Sequence, residues 1–170
     1  MLLLISDANI LIDMEEGELL EQMFQLPYEF HIPDILFSEE LEDQHRHLLD
    51  KGLTLAQLDS ETMLNAMELS ANYVKTSRND CFALALAAQQ QCPLLTGDLA
   101  LRHAAENEAV MVQGTLWLVK MLVTRKLIST GEARVAYRKM KDARRRLPWD
   151  LAEAALVDLE AQELDSLRRK

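Results

Sequence analysis

Three carboxylates stand out by where they fall along the chain. Asp7 follows directly on the apolar run Met1-Leu2-Leu3-Leu4-Ile5 and Ser6, and Asp98 follows Pro93-Leu94-Leu95-Thr96-Gly97. Asp80 heads Cys81 to Ala88, a stretch apolar almost all round. Carboxylates placed after separate strands are costly to bring together, because like charges a few ångströms apart raise each other's pKa unless a cation lies between them. A bound divalent metal removes that cost. Oxygen donors without Cys or His point to Mg²⁺ or Mn²⁺, and such a centre activates water and braces phosphate oxygens. Two of them also have a bland reading: Asp7 as a strand-end turn residue, and Asp80 with Ser77 and Asn79 as a cap, where the helix dipole and unpaired N–H groups favour an acid.

The elements that must position these groups are legible as hydrophobic period. A continuous apolar run reads as a strand buried on both faces, so Met1 to Ile5 is expected to be a strand; Tyr28 to Ile32 reads as a short second and Leu53 to Leu58, whose alternation is imperfect, as a third. Pro93 to Thr96 and Ala109 to Val112 complete the set. Between them Leu11 to Phe24 recur at helical spacing up to Pro27, Pro33-Asp34 opens a helix carrying apolar residues as far as Leu49, and Asp59-Ser60 caps one running to about Val74. Further helices are expected at Leu99 to Asn107 and Leu116 to Thr124. From Ser129 the pattern is wholly helical, with a break at Arg144-Arg145-Arg146-Leu147-Pro148 and a final helix from Leu151 to Lys170. Strands alternating with helices imply a parallel sheet, with ligands outside the carboxyl ends of the strands. Asp7 and Asp98 both fall at such ends.

Composition narrows the class. With 170 residues, 49% apolar and 27% charged, the chain reads as globular, without an apolar run near the roughly 20 residues that span a bilayer. No membrane association is expected. The start lacks the basic region of a signal peptide, so a cytoplasmic location is the expectation. Cys81 and Cys92 read as buried small hydrophobes. His31, His45, His47 and His103 read as solvated or locally bonded, because no zinc-type spacing links them. Asp13, Glu15, Glu16 and Glu18 are attributed to the dipole at the start of the first helix. The net charge of −10 cuts against a simple nucleic-acid binder, since affinity for phosphate backbones comes from Lys and Arg. The one concentrated basic run is Arg134, Arg138, Lys139, Lys141, Arg144, Arg145 and Arg146, which suits either RNA phosphates or pairing with acidic surface and helix ends.

Four segments in order carry a resemblance: Ile5-Ser6-Asp7-Ala8-Asn9-Ile10-Leu11-Ile12-Asp13, then Pro33-Asp34 with Glu39 following, then Ser77-Arg78-Asn79-Asp80, and finally Leu95-Thr96-Gly97-Asp98. Over roughly residues 1–128 this chain resembles a PIN-domain protein. The resemblance implies an α/β fold, a three-layer sandwich with a central mostly parallel sheet over 1–128 and a C-terminal helical extension over 129–170. It implies a divalent-metal-dependent endoribonuclease acting on RNA, with Asp7, Asp80 and Asp98 as metal ligands and Glu39 completing the catalytic cluster; Glu40 satisfies the alignment of that helix as well. Asn9 and Thr96 are close enough in sequence to hydrogen-bond carboxylates or metal waters, and Ser77 to orient Asp80, while a turn-forming Asn and a strand-capping Thr are equally good readings. Many relatives are toxins of type II toxin-antitoxin modules, so an antitoxin protein and a homodimer are the implied partners.

Two other functions compete. A PIN-like regulatory or scaffold protein with weak or no catalysis would share the fold, and the acidic charge favours it. A phosphohydrolase on another doubly wound fold would also use strand-end aspartates, but Asp7-Ala8-Asn9 lacks the second Asp of a haloacid-dehalogenase-like nucleophile motif.

Overall fold

The computed structural model describes all 170 residues. The amino-terminal apolar run is β1 (Leu2–Ser6), with Leu4, Ile5 and Ser6 fully shielded from solvent. It leads into α1 (Ala8–Glu16) and the short α2 (Leu20–Met23) before β2 (Tyr28–Pro33). After β2 come α3 (Asp34–Glu40), α4 (Glu42–His45) and α5 (Leu48–Lys51), then β3 (Thr54–Ala56). The long helices α6 (Ser60–Asn72) and α7 (Arg78–Gln90) precede β4 (Leu94–Leu95), α8 (Leu99–Asn107) and β5 (Val112–Gln113). The chain ends in α9 (Thr115–Thr124), α10 (Thr130–Asp142) and α11 (Trp149–Arg168).

The five strands form one sheet in the order β3-β2-β1-β4-β5, parallel throughout. From β1 the chain winds outward through β2 and β3, then crosses to the other side of β1 for β4 and β5. The gap between β1 and β4 is therefore the point where strand order reverses, the place in a doubly wound sheet where ligands bind. Helices flank this sheet, which is the expected α/β architecture. The middle of α7 puts Cys81, Phe82, Ala83, Leu84, Ala85, Leu86 and Ala87 into the core, and the helix packs against α6, α3 and β1.

The chain divides into two compact units. A sheet unit comprises Met1–Ile12 and Pro27–Gly114, and a helical unit comprises Asp13–Leu26 and Thr115–Lys170. These bounds differ from a division at residue 128, because Asp13–Leu26 and α9 share the helical unit with α10 and α11. In the helical unit α9 packs with α2, α10 and α11. At Gly17 a Cβ would meet the terminal methyl of Met140 at 2.5 Å, so that flexible side chain would have to shift to admit one.

Several helix ends differ from the periodic reading. One helix was expected from Leu11 to Phe24, but α1 stops at Glu16: Glu18 adopts a left-handed φ of 57°, its N–H donates to Glu15 O, and the Leu19 N–H donates to Met14 O. That bond pair is a Schellman motif, which reverses the chain while the apolar spacing runs on. The helix expected from Pro33 to Leu49 is three short pieces, and Leu41 between the first two has φ −124°. The last strand lies at Val112–Gln113 rather than Ala109–Val112 because Ala109 closes α8 in the left-handed region. Asp13 to Glu16 occupy the second half of α1, the wrong end for dipole stabilisation of acids. Asp13, 5% exposed, is instead neutralised by Arg145 at 2.6 Å and accepts a 2.8 Å hydrogen bond from Thr115 Oγ1. No helix is long and apolar enough to cross a membrane.

Candidate metal centre

Parallel register brings Asp7 and Thr96 side by side. Ser6 pairs with Leu95 across β1 and β4, and the Asp7 N–H donates to Leu95 O at 3.0 Å, so the next residue of each strand emerges at the carboxyl edge. Asp7 is 1% exposed. Its Oδ1 accepts from the Ile10 N–H at 3.0 Å and its Oδ2 from the Thr96 hydroxyl at 2.6 Å. A buried carboxylate needs such donors, because an unpaired buried charge costs several kcal/mol.

Asp98 is tied to the same hydroxyl. Its N–H donates to Thr96 Oγ1 at 3.0 Å, while its Oδ1 caps α8 by accepting from the Leu101 N–H at 2.8 Å. Thr96 thus donates to one strand-end aspartate and accepts from the backbone of the other.

Asp80 comes from the first turn of α7. Ser77 is the N-cap, its Oγ accepting from the Asp80 N–H at 3.1 Å. Burial pushes the Asp80 carboxyl up to about 6; the Ser77 hydroxyl opposes that shift, and the charges of Asp98 and Glu40 add to it. These carboxylates therefore share one electrostatic environment around Asp80. Hard oxygen donors in a partly desolvated, mutually repelling set are chemically suited to a hard divalent cation.

The two glutamates on α3 are placed differently. Glu39 pairs with Arg78 at 2.8 Å and accepts from Asn79 Nδ2 at 2.9 Å, so its carboxyl is held below the usual range, first by the Asn79 bond. Asn79 Nδ2 also reaches Glu40 Oε2 at 3.3 Å. Asn79 Oδ1 is buried without a partner. Glu40, not Glu39, is the glutamate whose charge raises Asp80.

A comparison with family models matches residues 3–161 to DUF3368, a PIN domain. The chain belongs to that family. Members of the PIN-domain family are generally nucleases that use divalent metal ions. Among solved structures, this PIN domain is similar to a PilT N-terminus domain protein from the hyperthermophilic archaeon Sulfolobus solfataricus P2, at 13% identity and a TM-score of 0.45 over 69% of this chain and 90% of that one. No curated protein matches it.

Within the PIN domain, Asp7, Asp98 and Asp80 are linked through Thr96 and through charge, whereas Glu39 is engaged by cationic and amide donors beside them. Residue spacing anticipated Thr96 and Ser77 as orienting groups. It missed the Arg78 and Asn79 contacts to α3; the only signal was their position just before Asp80, which suits a cap equally well. Cys81 and Cys92 are free and buried, with burial pushing the Cys81 thiol up to about 11.

Proposed function

We propose that this PIN domain is a divalent-metal-dependent endoribonuclease that hydrolyses RNA phosphodiester bonds. The observation that carries the reading is the carboxylate set at the sheet's switch point: Asp7 and Asp98 joined through Thr96 Oγ1, with Asp80 pushed up to about 6 beside Asp98 and Glu40. Asp7, Asp80 and Asp98 would hold Mg²⁺ or Mn²⁺, with Glu40 a better placed fourth carboxylate than Glu39. When bound, the ion supplies charge stabilisation at the phosphate and lowers the pKa of water.

The chain's own residues prepare that centre. Two donors fix Asp7 in one orientation, so little ordering remains when a ligand arrives. Thr96 sets the spacing of Asp7 and Asp98. Asp80, held high by burial and by the charges of Asp98 and Glu40, is the carboxylate whose ionised form a bound cation would favour most. Membership of a toxin-antitoxin pair, a partner antitoxin and a homodimer are further proposals that follow the family resemblance.

A scaffold without useful catalysis is the second reading, favoured by one observation: the sheet unit holds fifteen Asp and Glu against five Lys and Arg. Cleavage of a mixed pool of structured and single-stranded RNAs, with Mg²⁺ or Mn²⁺ and with chelator, separates the two. Metal-dependent cutting by wild type that is lost in Asp7→Asn supports the nuclease; a folded, metal-binding wild type that cuts nothing supports the scaffold.

A further inference from the structure

Charge is divided unevenly between the units. The helical unit carries thirteen of the chain's 18 Lys and Arg and an equal number of acids, unlike the strongly acidic sheet unit. Seven of those cations fall between Thr130 and Arg146, where Glu132 and Asp142 are the only acids. Three of the seven are neutralised within the unit: Arg134 by Glu153 and Glu160, Lys139 by Glu18, and Arg145 by Asp13. Arg138, Lys141, Arg144 and Arg146 are exposed and form no ion pair.

Arg134, Arg138 and Lys141 recur at steps of four and three, which aligns them on one face of α10. That face borders a groove of about 360 Å³, completed by Tyr137, Trp149 and Glu153. Trp149 is half-buried, with the Tyr137 ring edge-on at 6.2 Å and Lys141 Nζ 5.9 Å from its ring centroid. Both Glu153 oxygens accept from Arg134, at 2.9 to 3.2 Å, so the one acid of the groove is already matched. What remains on offer is the Trp149 ring with the Lys141 ammonium over it, bordered by Arg138, two cations without a carboxylate partner.

We propose that this groove binds single-stranded RNA, a base stacking on Trp149 while flanking phosphates meet Arg138 and Lys141. Stacking platforms bordered by cations are how single strands are held without sequence readout. A duplex keeps its bases inside, and an acidic peptide brings charge without a flat face. The choice of RNA over DNA rests on the ribonuclease reading; the groove itself does not.

The test is fluorescence anisotropy of a labelled 12-nucleotide single-stranded RNA with the full chain in chelator, where cleavage cannot contribute. Arg138→Glu with Lys141→Glu is expected to weaken binding at least tenfold and to flatten the slope of log affinity against log salt by about 1.4, the value for two phosphate contacts on a single strand. In a Trp117→Phe background, RNA should quench Trp149 emission. Binding is read in chelator and cutting in Mg²⁺ or Mn²⁺, so loss of cutting in Asp7→Asn and loss of binding here are separable failures. Unchanged affinity and slope in the double variant overturns the proposal. So does displacement of the RNA by polyglutamate at equal charge concentration, which would assign the groove to an acidic peptide.

Discussion

The Thr96 hydroxyl stands between two aspartates, donating to Asp7 Oδ2 at 2.6 Å and accepting from the Asp98 N–H at 3.0 Å. One side chain just past β4 thus orients the buried carboxylate just past β1 and the residue that caps α8. Thr96 is itself fully buried, so neither bond can be replaced by bulk water.

Thr96→Val keeps the shape and removes both bonds. Leaving a buried acceptor and an N–H unpaired costs about 1–3 kcal/mol, and Mn²⁺ affinity should fall with it. Thr96→Ser should recover most of both. Urea unfolding and calorimetric Mn²⁺ titration are the checks; a Val variant with wild-type affinity would remove Thr96 from the site.

Asp98→Asn preserves the cap on α8, since Asn caps as well as Asp. It and Asp7→Asn are expected to retain cooperative unfolding while binding Mn²⁺ at least tenfold more weakly. Metal affinity equal to wild type in either variant would sink its assignment as a ligand.

Glu39 and Glu40 are distinguished by what each does to Asp80. Glu40→Gln removes a charge that raises the Asp80 carboxyl, so its pKa should drop from about 6. Glu39→Gln should leave it in place, because that carboxylate answers to Asn79 and Arg78. Carboxyl NMR titration of the metal-free protein decides between them.

Asp80 also makes the metal-free protein's stability depend on pH. Its folded pKa of about 6 lies above the ordinary 3.8, so between those values the folded state binds more protons than the unfolded one. Its stabilising contribution is greatest below pH 4 and is lost as pH rises through 6. The full shift corresponds to about 3 kcal/mol, reduced to about 2 for partial exposure. Asp80→Asn should abolish that part of the slope and be the more stable protein at pH 7 without metal; equal pH profiles in chemical denaturation would refute the shift.

Five helices end with a non-glycine residue in the left-handed region: Glu18, Gln91, Ala109, Lys126 and Arg144. Ala109 has no side-chain bond to offset that conformation, so Ala109→Gly should stabilise the fold by about 1 kcal/mol despite the added chain entropy. A fall in melting temperature would contradict it.

Much of this protein was decided locally and could be read from the chain. Leu99 to Asn107 is the helix expected, because Asp98 caps it and its apolar spacing is unbroken. The strands after which Asp7 and Asp98 appear are where a continuous apolar run places them, since both faces must be buried. The family motifs brought the four segments together.

Other features needed the tertiary structure. The end of α1 was misread where a Schellman turn falls on Glu18, and the start of β5 where one falls on Ala109, because these turns form without the Gly that would mark them and the apolar spacing continues past them. Glu39 and Glu40 are adjacent and chemically alike, and only packing of α3 on α7 sets one against Arg78 and brings the charge of the other to bear on Asp80, with Asn79 reaching both. The basic run looked uniform in sequence. Its division into paired Arg134, Lys139 and Arg145 and unpaired Arg138 and Lys141 depends on carboxylates up to 132 residues away, and a charge's partner is a matter of distance in space, not along the chain.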